Sequence, residues 1–130
     1  MLNIFGGDNN IMARVLIVDD SRTSRKILKN IIEGSGFEIV GEATNGQEGV
    51  DMYKQLKPDV VTLDITMPVL DGVSALKEIM AFDSNAKCIM VTAAGQKDNV
   101  VDAIKAGAYE FVTKPFDQDV IVGVLKKIAN

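Results

Sequence analysis

Three aspartates, a threonine and a lysine each stand at the end of a short apolar run in this chain. Asp19 and Asp20 follow Val15-Leu16-Ile17-Val18, and Asp64 follows Val60-Val61-Thr62-Leu63. Thr92 ends the run Cys88-Ile89-Met90-Val91, and Lys114-Pro115 follows the segment from Tyr109 to Thr113. If these runs are neighbouring parallel strands, all five groups leave one edge of one sheet, where open α/β sheets bind their ligands. Three close carboxylates repel one another unless a cation lies among them, and a hard divalent ion with oxygen ligands suits that set. Asp20 is expected to ligate it directly and Asp19 partly through water. A carboxylate beside such an ion is ionised and can attack phosphorus, the role open to Asp64. The Lys114 ammonium would neutralise charge on a phosphoryl oxygen, and Pro115 restricts the backbone that aims it. Each residue alone reads as a helix cap, a turn residue or a solvated side chain. Their convergence is what points to a metal-dependent site that handles phosphate.

The elements that must position them alternate strand and helix throughout. Strands are expected over 14–18, 37–43, 59–63, 87–92 and 109–113, short, β-branched and apolar enough to be buried on both faces. Ile27, Leu28, Ile31 and Ile32 stripe a first helix, and Val50, Tyr53 and Leu56 a second. Val73, Leu76, Ile79 and Met80 mark the third; Val120, Ile121, Val124, Leu125 and Ile128 mark the last, with Asp117 as its N-cap. The fourth, from about Asp98 to Ala106 and stopped by Gly107, is the least amphipathic. Asn45 with Glu48 resembles a capping box, and Gly34 and Gly36 close the first helix. Five βα units in a row imply right-handed crossovers and an α/β fold, a parallel sheet with helices on both faces.

At 130 residues the chain makes one domain able to bury a core without disulfides. A formal charge of −4 argues against a nucleic-acid surface, which needs clustered Lys and Arg. The single cysteine, Cys88, sits in an apolar run and reads as a small buried hydrophobe. No stretch is long and apolar enough to span a bilayer and no signal-peptide pattern is present, so a cytoplasmic protein without a membrane partner is expected. Residues 1–11 are polar and turn-rich, and read as a flexible extension ahead of a domain over 12–130.

The segments VLIVDDS, VVTLDITMPVLDG, IMVTAAG and AGAYEFVTKPF, taken jointly, resemble the receiver domains of two-component response regulators, most of all the stand-alone chemotaxis (CheY-like) type. The resemblance covers Met12 to Asn130. It implies that Asp64 is the phosphoacceptor for a sensor histidine kinase's phosphohistidine. It implies that Asp19, Asp20, Asp64 and the backbone carbonyl of Thr66 hold Mg²⁺, and that Thr92 and Lys114 bind the phosphoryl oxygens. A cis Lys114-Pro115 bond and a sheet order of 2-1-3-4-5 come with it. So does a switch in which Thr92 moves toward the phosphoryl group and an aromatic side chain, here Phe111, fills the vacated space. Phe111 has no hydroxyl, so the switch must work by packing. The responsive surface would be the fourth helix, fifth strand and fifth helix, with Lys97, Val101, Lys105, Tyr109 and Lys126. Thr66 and Ala94 occupy the positions that set phosphoryl lifetime, and the small Ala94 implies slow self-dephosphorylation.

Other classes fit less well. A phosphatase of the haloacid-dehalogenase kind needs a second acid two residues after its nucleophile, where Thr66 stands. A nucleotide-binding fold needs glycines in the first βα turn, where Asp19-Asp20-Ser21-Arg22-Thr23 would repel phosphate. Among receivers, no linker or basic segment follows the last helix, so a protein target such as a flagellar switch is expected. A phosphorelay intermediate serving a phosphotransfer protein, and the receiver part of a DNA-binding regulator, are the alternatives.

Overall fold

The computed structural model describes residues 13–93 and 95–129; the expected extension over 1–11 and the lifetime position Ala94 lie outside them. The strands are β1 (Arg14–Val18), β2 (Glu38–Ala43), β3 (Val60–Asp64), β4 (Cys88–Thr92) and β5 (Glu110–Thr113). The helices are α1 (Arg22–Gly34), α2 (Gly46–Leu56), α3 (Gly72–Phe82), α4 (Lys97–Ala106) and α5 (Gln118–Ala129). The sheet is parallel in the order β2-β1-β3-β4-β5, the expected one. Strand ends shift by a residue from the expected bounds; Phe37, for instance, precedes β2 and donates its N–H to Ile32 O at the end of α1.

Alternation along each strand divides the core in two. Leu16, Val18, Val61, Leu63 and Met90 face α2, α3 and α4, packing on Val50, Tyr53, Leu76, Ile79 and Ala103. Val15, Ile17, Val60, Ile89, Val91 and Val112 face α1 and α5, packing on Leu28, Ile32, Ile121 and Leu125. Each fully buried Leu or Ile contributes about 1.5–3 kcal/mol by leaving water. β3 and β4 are buried along their whole length and β1 from Val15 onward, whereas β2 and β5 are the sheet edges. Two residues assigned to apolar stripes face water instead: Ile27 at 45% exposure and Val120 at 49%. Each stripe holds more apolar residues than one helix face can turn inward.

The helix starts follow the short polar residues before them. Ser21, Asn45 and Asp71 accept the N–H of Ser24, Glu48 and Ser74, and Asp117 accepts those of Asp119 and Val120. The Asn45 box differs in one detail: the Glu48 carboxylate reaches past Asn45 to the backbone N–H and hydroxyl of Thr44. Gly107, at φ 101°, ends α4 in the left-handed region where a side chain would be strained.

Candidate functional site

The carboxyl ends of β1, β3, β4 and β5 bring Asp19, Asp64, Thr92 and Lys114 together at one sheet edge. Asp19 is fixed from three sides. Its N–H donates to Ala43 O, its Oδ1 accepts from Ser21 N at 2.8 Å, and its carbonyl accepts from the Arg25 guanidinium at 2.8 Å. Arg25 also reaches Glu42 at 3.3 Å, so α1 is pinned against the β1–α1 turn by a residue whose part in the site no sequence motif announced. Asp64 is held by its loop. Gly72 donates its N–H to Ile65 O at 2.7 Å, and a Cβ at Gly72 would sit inside the Asp64 carbonyl. Gly46, at the start of α2, meets Leu70 O just as closely. The Asp71-Gly72 pair therefore does two jobs, capping α3 and allowing the loop to fold flat beneath the carboxylate.

Asp19, Asp20 and Asp64 each offer a carboxylate oxygen, all within 4.8 Å of one another. Asp19 and Asp64 are buried, at 1% and 7% exposure, while Asp20 faces solvent. Asp19 Oδ2 is enclosed yet makes no hydrogen bond; its counter-charge is the Lys114 ammonium at 3.1 Å. The same ammonium stands 3.5 Å from Asp64 Oδ2. Burial first, and then the Asp19 charge, push the Asp64 carboxyl up to about 6, with Lys114 pulling it back. Burial alone would lower the Lys114 ammonium, but its close contacts with the Asp19 and Asp64 carboxylates outweigh that and raise it. One ammonium thus serves two crowded carboxylates. Hard oxygen donors, mutual repulsion and an enclosed Asp19 oxygen without a hydrogen bond are what a divalent cation would relieve, so the set fits one.

Thr92 is buried, its hydroxyl donating to Val112 O at 3.5 Å, the weak limit of a hydrogen bond. Phe111 is half-buried on β5 against the core that includes Met90 and Ala103. Lys114-Pro115 is cis, as expected. Thr66 is exposed just beyond Asp64. Gln96 is a contact the motifs did not announce: its amide accepts from Ala93 N and donates to the Thr66 hydroxyl. The available cue was a glutamine, a poor N-cap, standing where α4 begins.

The sequence profile of the response regulator receiver domain matches residues 15–126. The chain belongs to this family. The receiver is 54% identical over 117 residues to chemotaxis protein CheY of Thermotoga maritima, covering 90% of this chain and 98% of that one. It is 49% identical to chemotaxis protein CheY of Bacillus subtilis, with the same two coverages. Among solved structures it superposes with a TM-score of 0.85 and 41% identity on the CheX-CheY-BeF3-Mg complex from Borrelia burgdorferi, covering 91% of this chain and 90% of that one. The receiver is a response regulator of the chemotaxis type; the DNA-binding and phosphorelay readings are not favoured. Among the described residues, no helix is long and apolar enough to cross a membrane.

Proposed function

We propose that this receiver takes a phosphoryl group from a histidine kinase onto Asp64, with Mg²⁺ bound, and so switches a protein-binding surface. The observation that carries the reading is the convergence of three carboxylate oxygens within 4.8 Å on one lysine that contacts two of them. In the transfer, an Asp64 carboxylate oxygen forms a bond to phosphorus as the bond from phosphorus to the kinase imidazole nitrogen breaks. The leaving nitrogen keeps that electron pair and is protonated. Asp19, Asp20, Asp64 and the Thr66 carbonyl would hold the Mg²⁺, whose charge offsets that of the incoming phosphoryl oxygens. Lys114 supplies a second positive charge and passes from its two carboxylates to a phosphoryl oxygen. Thr92, weakly tied to Val112, is free to turn its hydroxyl toward the same group, and Phe111 follows it inward by packing. The chain acts as a phosphoacceptor that assists its own reaction and has no separate substrate to turn over.

The responsive surface is α4-β5-α5, where Val101, Ile104 and Tyr109 are exposed beside Lys97, Lys105 and Lys126. That mix of apolar and basic side chains suits an acidic, amphipathic protein segment, such as one from a flagellar switch component. Intact mass after incubation with acetyl phosphate and Mg²⁺ tests the reading. One phosphoryl adduct is expected, absent from Asp64→Asn and absent with a chelator. An adduct that persists in Asp64→Asn would overturn it.

A further inference from the structure

Gln96 stands at the N-cap position of α4, yet its side chain caps nothing. Its amide spans two loops instead. Oε1 accepts the Ala93 N–H at 2.6 Å, and Nε2 donates to the Thr66 hydroxyl. The Ala93 N–H requires an acceptor, which fixes which end of the amide faces which loop. Ala93 is the residue immediately after Thr92, and Thr66 is two residues after Asp64. One side chain therefore ties the backbone that carries the moving threonine to the loop that carries the acceptor.

We propose that Gln96 is a positioning residue of the switch: its clasp between Thr66 and Ala93 holds the β4–α4 loop in the unphosphorylated geometry. Two restraints on Thr92 can be compared directly. Its own hydroxyl reaches Val112 O only at 3.5 Å, the weak limit of a hydrogen bond, while the next peptide's N–H is within full hydrogen-bond distance of Gln96. On this proposal, bringing Thr92 to a group on Asp64 draws the following peptide with it, so that the Ala93 N–H leaves Gln96 and the clasp yields. A conformational restraint of this kind lowers the apparent affinity for whatever selects the switched state. The inference rests on the reading of Asp64 and Thr92 proposed above.

Binding of beryllofluoride with Mg²⁺ to the full chain, followed by ¹⁹F NMR, tests the clasp, with Mg²⁺ titrated alone as the control. Gln96→Ala is expected to bind beryllofluoride about three- to tenfold more tightly than the parent, the loss of roughly one hydrogen bond of restraint. Its affinity for Mg²⁺ alone should be unchanged, which a general loosening of the site would not leave intact. Thr66→Val breaks the same clasp from the other loop and should tighten binding in the same direction. The double variant should be no tighter than Gln96→Ala, because both changes remove one unit. Equal or weaker binding by Gln96→Ala, or additive gains in the double variant, would overturn the clasp while leaving Asp64 as acceptor. Failure of the parent itself to bind beryllofluoride would remove the reading of Asp64, and the clasp with it.

Discussion

The two ends of the parallel sheet are built on opposite electrostatic terms. At the amino end Arg14 donates its backbone N–H to Asp59 Oδ2 at 2.8 Å and accepts the Asp59 N–H in return. Its guanidinium bonds the carbonyls of Lys57 and Leu56 at 3.0 Å each, satisfying orphan carbonyls at the end of α2. At the carboxyl end three carboxylates crowd one lysine, and an enclosed oxygen of Asp19 lacks a hydrogen bond. The first end is satisfied and serves stability; the second is left short of positive charge. A fold can hold such a deficit only because the rest of the domain over-determines it, and a divalent cation at this edge would relieve it.

The contrast can be broken most sharply at Lys114. With a chelator present at pH 7.5, Lys114→Met should lose about 2–3 kcal/mol of stability in denaturant unfolding, since Asp19 and Asp64 then face each other uncompensated. Added Mg²⁺ should restore much of that loss. An unaffected unfolding midpoint in chelator would mean that the lysine does not hold the two acids together.

A smaller effect follows from Asp64. Its folded carboxyl is raised from 3.8 to about 6, so between those values the native state binds more protons than the unfolded one. Stability therefore falls as pH rises through that window, and the penalty is fully present above about pH 6. In chelator, acidification from pH 7.5 to 5 should gain on the order of 1–2 kcal/mol for the parent and nothing comparable for Asp64→Asn. A flat parent profile would show that the carboxyl end carries no deficit. The smallest change belongs to the satisfied end. Arg14→Met should cost about 1 kcal/mol through its two lost carbonyl contacts, equally with Mg²⁺ or chelator. Any Mg²⁺ dependence there would mean that the two ends are coupled.

Much of this was legible in the sequence because strands buried on both faces read as apolar runs, and the residue ending each run must emerge at the sheet edge. Asp19, Asp64, Thr92 and Lys114 were placed by that rule, and Asn45, Asp117 and Gly107 by local backbone chemistry. Ile27 and Val120 were misassigned because a stripe shows that a residue is apolar, not which side of a crowded helix it takes. Arg25 and Gln96 were invisible because each reaches a partner on another element, Glu42 on β2 and Thr66 in the loop after β3. Their side chains carry no motif, and their bonds exist only once β2 lies beside β1, for Arg25, and β3 beside β4, for Gln96. The sequence by itself determined the order of elements, the capping residues and which groups could do chemistry. Tertiary structure alone decided that Lys114 serves two acids, that Asp19 keeps an oxygen without a hydrogen bond, and that Gln96 spans the loops after Asp64 and Thr92. These depend on distances between chain segments far apart in sequence, which no local pattern encodes.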